Sequence, residues 1–133
     1  HIGSKSYGIQ FLLKGIYVHN GKFYFHTELR NKSNVPFKID FVNFKVVDKK
    51  VAKRTVVQEN PLTPLRMYKP LDEIAGNTVE QNVFLLDQFT IADDKMLIIE
   101  IFEKNGGRQQ TLQVENSDLV HARQINDMHL KIN

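Results

Sequence analysis

The 133-residue sequence contains no cysteine and no tryptophan. Without cysteine the chain has no disulfide and no thiolate metal site, and this absence fits both a reducing and an oxidising compartment. Without tryptophan it lacks the planar side chain most useful to a sugar-binding platform. No apolar run reaches 18 residues, so the sequence predicts no membrane-spanning helix. A chain of this length can bury a sufficient core as one domain.

The apolar residues that are present follow the pattern of strands. Phe and Tyr, of which there are nine and four, favour strands over helices. Asn20-Gly21 and Asn105-Gly106-Gly107 each separate two such runs, and these residue types tolerate the positive φ of tight hairpin turns. The predicted strands cover residues 10–19, 22–30, 35–48, 51–58, 79–91, 95–103 and 108–115.

Alternation within the strands predicts which side chains are buried. In residues 22–30, Phe25 and Leu29 share the inward face, and His26 falls on the outward face. Ile99 and Ile101 of the most apolar strand are also expected inside.

Within residues 35–48, the apolar residues change from odd to even positions, which we call the parity conflict. Phe37, Ile39 and Phe41 share one face, whereas Phe44 and Val46 fall on the other. A bulge near Val42-Asn43, or a strand that switches from one sheet to the other, would bring both sets to the core. The following proline-rich stretch, residues 60–78, is expected to be an ordered loop because proline is excluded from central strands.

These elements predict an all-β fold, an immunoglobulin-like β-sandwich of about seven strands with one short C-terminal helix. The helix is expected at residues 117–126, with Asn116 or Ser117 as its N-cap. We expect an N-terminal extension at residues 1–8, the sandwich at 9–126 and a tail at 127–133. No alternation of strands and helices suggests a parallel α/β fold.

No catalytic, cofactor-binding or metal-binding residue is predicted, so we expect a protein that is not an enzyme. The five histidines lack the spacing of a metal site, and we expect them at the surface. Gly106-Gly107 lies between two strands, and a phosphate-binding loop would lead into a helix. Asp93-Asp94 is expected to be a solvated turn, because the alternating ligands of a calcium loop are missing. The sequon Asn31-Lys32-Ser33 is of a kind that occurs often by chance.

A basic segment follows the long strand. Its bases suit either contact with phosphate or a charged strand end that prevents edge-to-edge aggregation. No aromatic residues alternate with them as stacking platforms, so we expect no direct contact with nucleic acid. A charged edge of this kind can also select a partner protein. The candidate partner-binding residues are Lys49, Lys50, Lys53, Arg54, Gln58 and Glu59.

Several short motifs occur in an order that resembles a known family. They are Gly15-Ile16-Tyr17, Tyr24-Phe25, the run from Leu29 to Val35, Asp48-Lys49-Lys50, Lys53-Arg54-Thr55, Gln58-Glu59, Phe89-Thr90-Ile91, Asp94-Lys95 and the run from Glu103 to Arg108. Together they resemble the TraN proteins of Bacteroides-type conjugative transposons over residues 9–125. One departure is Ala92, where the resemblance leads us to expect proline in a turn.

The resemblance implies a structural component of a conjugation apparatus, a machine similar to a type IV secretion system. Proteins of this kind are exported and act in the periplasm with the outer-membrane complex, so the expected partners are other conjugation proteins or further copies of the chain. The resemblance also implies that this chain is the C-terminal domain of a longer protein whose export signal lies elsewhere. An alternative is a carbohydrate- or peptide-binding β-sandwich module of an exported protein.

Overall fold

The computed structural model describes residues 2–49 and 60–127 of the chain. Their strands are β1 (Ile2–Ser6), β2 (Ile9–His19), β3 (Lys22–Asn31), β4 (Phe37–Asp48), β5 (Asn60–Leu62), β6 (Arg66–Met67), β7 (Glu73–Ile74), β8 (Thr78–Asp87), β9 (Lys95–Glu103), β10 (Gln110–Val114) and β11 (Arg123–Gln124). The helix α1 spans Asn116–Val120, and a 3₁₀ turn spans Ile125–Asp127. Among these residues, no helix has the length and apolar character needed to cross a membrane.

The strands form two sheets packed face to face. The first has the order β1-β2-β3-β8-β6, with β11 added beside β2, and the second has the order β10-β9-β4-β5, with β7 also on β4. All pairs are antiparallel except β11 with β2. The placement of β2-β3-β8 opposite β10-β9-β4 is that of an immunoglobulin sandwich. The predicted all-β sandwich is therefore confirmed, while the predicted strand at residues 51–58 lies outside the described residues.

The core between the sheets is rich in phenylalanine. Phe25 of the first sheet packs edge-on against Phe44 of the second at 5.7 Å between ring centroids, and Phe44 lies 5.2 Å from Phe84. The four residues predicted to be buried are all at most 3% exposed, which confirms the alternation that placed them inside; they are Phe25, Leu29, Ile99 and Ile101.

Both predicted hairpins are present. Asn20 and Gly21 have φ of 49° and 71°, the left-handed pair that matches the twist of β2 and β3. Asn105, with φ of 54°, turns the chain between β9 and β10. The residue types at these turns therefore favour the pairing of β2 with β3 and of β9 with β10.

The two ends of the sandwich differ from the prediction. Residues 2–6, which we expected in an N-terminal extension, form β1 and pair with Ile9–Leu13. The predicted helix at 117–126 is only five residues long, because the main chain from Arg123 leaves it to pair with β2. Its N-cap is Glu115, since the Asn116 side chain instead accepts the N–H of Ile91 at 2.9 Å.

The bulge in β4 is also displaced from its predicted position. The register with β9 shifts between Ile39 and Phe41, rather than near Val42-Asn43. Phe41 therefore leaves the core face predicted for it and is 45% exposed, stacked on Phe102 at 4.5 Å between centroids. The shift places a large apolar side chain on the surface.

Candidate functional site

Lys49 is the only predicted partner-binding residue within the described part of the chain. Its ammonium group lies 3.1 Å from the Glu115 carboxylate, and its backbone N–H donates to the Asp94 carbonyl at 2.8 Å. Lys49 thus links the end of β4 to the start of α1 and contributes to the fold. The other candidates lie outside the described residues: Lys50, Lys53, Arg54, Gln58 and Glu59.

A cluster of exposed apolar side chains lies on one side of the sandwich, where the sheets end in the short strands β5 and β6. A groove of about 410 Å³, which we call the lateral groove, opens there between β4 and the chain from Pro64 to Met67. Three side chains at its mouth are large, apolar and about half exposed: Phe41 (45%), Leu65 (53%) and Met67 (43%). Clustered exposure of this kind marks an interaction surface more often than scattered single residues do.

The floor of the lateral groove reaches the core. Phe84, which is fully buried, lines its base together with the half-buried Leu71. A second cavity of about 330 Å³ adjoins it, sharing Val42 and Pro64, and continues along β4 to Lys45. The two together are elongated in the direction of a strand.

The main chain of β4 is partly open along this groove. β7 pairs with Phe37 and Lys38, and β5 pairs with residues 44–46. The N–H of Ile39 donates to the Asp72 carbonyl at 2.8 Å. Within the described ranges, no strand pairs with residues 40–43 on the side of β4 away from β9. This arrangement can accept an extended segment, which gains main-chain hydrogen bonds and places alternate side chains in the groove.

Two motifs of the family resemblance, the runs Leu29 to Val35 and Glu103 to Arg108, meet at one end of the sandwich. The Arg108 guanidinium donates to the Glu103 carboxylate through Nε at 3.0 Å and Nη2 at 2.8 Å. It also donates to the Ser33 hydroxyl at 3.1 Å and the Pro36 carbonyl at 2.9 Å, and it lies over the Phe37 ring at 5.4 Å. The hydrogen bonds that Arg108 donates to Glu103 lower the pKa of Glu103 below its ordinary value of 4.5. The arrangement fastens the β9–β10 turn to the β3–β4 turn.

Asn31 of the predicted sequon belongs to the same assembly. It is 1% exposed, and its amide donates to the carbonyls of Val35 at 2.8 Å and Ile74 at 3.2 Å. Its Oδ1 accepts from the N–H and the hydroxyl of Ser33 at 2.9 Å and 2.7 Å. Asn31 is therefore a structural residue in the folded protein and is not accessible to a glycosyl donor.

His26 corrects the expectation that the histidines lie at the surface. It is 6% exposed, and its Nε2 donates to Gln81 Oε1 at 2.7 Å in the tautomer that lets the Gln81 amide donate to Glu28 at 2.6 Å. Burial lowers the pKa of His26 below 6.5 and the charge of Lys14 acts in the same direction, while the Gln81 bond opposes them. No group of three or more potential metal ligands occurs among the described residues.

Comparison with known proteins identifies a family for this chain. The chain matches the family described as "Domain of unknown function (DUF4138)" over residues 1–124 and belongs to it. No curated protein and no solved structure matches the chain significantly.

The lateral groove was missed by reasoning from the sequence. Its lining comes from residues 39–42 and 64–67, which are far apart in the chain, and from Leu71 and Phe84. The one available signal was the parity conflict in β4, which predicted a bulge but not that Phe41 would leave the core.

Proposed function

We propose that this chain is a non-catalytic structural subunit of a conjugative DNA-transfer apparatus in the cell envelope, acting by docking to another protein. The ordered motifs that resemble TraN proteins support the setting, which is the periplasm beside the outer-membrane complex. The lateral groove carries the proposal of docking, because it combines exposed apolar side chains with a stretch of the β4 edge that no described strand occupies.

The occupant that fits this groove is an extended segment of another conjugation protein. Full burial of an aliphatic or aromatic side chain stabilises a complex by about 1.5–3 kcal/mol. Phe41, Leu65 and Met67 are each about half exposed, so covering all three contributes about half of that for each. Main-chain bonding to residues 40–43 supplies direction and register. Asp40 and Arg66, of opposite charge on the rim, can select the orientation of the segment.

DNA transfer between cells tests this proposal. The variant Phe41→Ser with Leu65→Ser removes the apolar mouth of the groove, and transfer should fall at least about tenfold if roughly 1.4 kcal/mol of docking free energy is lost. The matched control is Val79→Ser, which removes a side chain that is 45% exposed and lies outside the groove lining. Transfer at the wild-type level by a folded, exported groove variant would contradict docking at this site.

A second site remains as a prediction from the sequence. Lys53→Glu with Arg54→Glu reverses the charge of the basic segment and changes none of the described residues that line the lateral groove. Surface substitutions usually alter stability by no more than about 0.5 kcal/mol each, so a loss of transfer with retained folding would place a docking surface there.

The groove also favours the alternative of a peptide-binding module of an exported protein unrelated to conjugation. The two functions differ in the phenotype of the groove variant. A conjugation subunit loses DNA transfer, whereas a separate peptide-binding module loses affinity for its peptide and leaves transfer intact.

A further inference from the structure

Another cavity, which shares no lining residue with the lateral groove, lies at the bulge of β2. It has a volume of about 320 Å³ and is lined on one side by the basic residues Lys14, His121 and Arg123. The apolar residues of its lining are Ile2, Leu13 and Ile16. We call it the bulge cavity. Its size is near the lower end of the range for ligand sites, about 300–1,000 Å³, which limits an occupant to a small group.

The bulge directs Lys14 away from the regular ladder. The register of β2 with β3 shifts between Leu13 and Gly15, so Lys14 has no residue opposite it on β3 and is exposed. Bulges commonly redirect a side chain towards a site. Within residues 2–49 and 60–127, the ammonium group of Lys14 forms no ion pair or hydrogen bond with an acid.

Arg123 is held in place by Tyr17. Gly15 allows the Tyr17 ring to lie close to the β2 backbone, since a Cβ at position 15 would come within 2.9 Å of the ring and its hydroxyl. The Arg123 guanidinium sits 5.1 Å above that ring, and its Nη2 donates to the Tyr17 hydroxyl at 2.6 Å. Tyr17 is 3% exposed, so it provides a rigid support. The cation is therefore oriented before any ligand arrives.

Asp118, the acid that lines the bulge cavity, is engaged elsewhere. Its carboxylate accepts the backbone N–H of Glu115 at 2.9 Å, at the start of α1. His121 is fixed through Nδ1, which donates to the Ser117 carbonyl at 2.6 Å. No described ion pair joins Asp118 to Lys14 or Arg123. Among the described residues, Lys14 and Arg123 thus have no carboxylate bonded to them.

We propose that the bulge cavity binds a small oxyanion, a carboxylate or a phosphate, with Lys14 and Arg123 as its charged donors. The planar Arg123 fork suits two oxygens of one such group, and Lys14 adds a point charge. Ile2, Leu13 and Ile16 of the lining can contact a short hydrocarbon or aromatic group attached to the anion. This site is independent of the docking proposed for the lateral groove.

Titration of the isotope-labelled domain followed by NMR tests the proposal. The probes are sodium phosphate and sodium benzoate, each compared with sodium chloride at matched ionic strength. The backbone amides of Lys14, Gly15 and Arg123 should shift saturably, with a Kd on the order of 1–10 mM, which is weak binding. Saturation by phosphate alone assigns a phosphate site, and saturation by benzoate alone assigns a carboxylate site.

Two variants distinguish binding from a general salt effect. Lys14→Met, at an exposed position, should weaken binding by up to about fivefold, the loss of one exposed charge contact. Lys5→Met removes an exposed lysine on β1, outside the cavity lining, and should leave the Kd unchanged. Shifts that do not saturate, that chloride reproduces, or that persist unaltered in Lys14→Met would overturn the proposal.

Discussion

Replacement of Arg108 by methionine removes the guanidinium that joins the β9–β10 turn to the β3–β4 turn. The side chains of Arg108 and Glu103 are both 13% exposed, and they share two hydrogen bonds of 3.0 Å and 2.8 Å. Breaking a buried ion pair by removing one partner costs about 3–5 kcal/mol, because the remaining charge stays desolvated. The bonds to Ser33 and Pro36 are lost as well. We therefore expect Arg108→Met to lower the free energy of unfolding by about 3–5 kcal/mol.

Urea unfolding followed by far-ultraviolet circular dichroism measures this change, since the chain has no tryptophan. Arg66→Met, at an exposed arginine, is the matched control and should cost no more than about 0.5 kcal/mol. Arg108→Lys keeps the charge but loses the two-pronged geometry, so its cost should be intermediate. A cost below about 1 kcal/mol for Arg108→Met would refute the structural role of this pair.

The pH dependence of the same variant provides a second check. Arg108 lowers the pKa of Glu103 below 4.5, so the pair stabilises the fold above pH 4.5 and this stabilisation is lost as the pH falls through the lowered value. The difference between wild type and Arg108→Met should therefore shrink in acid. A difference that is constant from pH 7 to pH 3 would show that the ion pair does not cause it.

Three further changes test the core, the buried histidine and the second hairpin. Phe25→Ala removes a fully buried ring and should cost about 3–5 kcal/mol in urea unfolding; a loss below about 1 kcal/mol would contradict its place in the core. Burial lowers the pKa of His26, so the unfolded chain binds the proton more readily and the free energy of unfolding should fall as the pH drops below 6.5. His26→Gln should reduce this dependence of stability on pH, and an unchanged dependence would show that other groups cause it. Gly106→Ala places a Cβ against the Glu103 carboxylate, which Arg108 holds in place, and should cost about 1–3 kcal/mol, whereas Gly107→Ala meets nothing within 4 Å; equal costs would contradict the close approach.

Local sequence patterns predicted the parts of the fold that local physics decides. Asn20-Gly21 determines a hairpin because its two residues accept positive φ, and alternation places Phe25 and Leu29 in the core. The short length of α1 was not predictable in this way. It depends on the pairing of Arg123 with Tyr17, a contact between residues more than 100 positions apart in the sequence.

The candidate site illustrates the same limit. The parity conflict in β4 predicted a bulge, but the register with β9 decides where the bulge falls and so which phenylalanine reaches the surface. His26 sits on a central strand between Gly15 and Val83, and its burial depends on those neighbours rather than on alternation. The contact between Arg108 and Ser33 likewise joins two motifs that are distant in the chain.

Site-specific photo-crosslinking in donor cells tests the docking function most directly. A benzophenone amino acid at position 67, in the lateral groove, should form a covalent adduct with another protein encoded by the conjugative element, identified by mass spectrometry. The same probe at position 120, an exposed site on α1, should form far less of that adduct. The absence of an adduct at position 67 in exported protein that supports DNA transfer, or equal yields at both positions, would contradict docking through the groove.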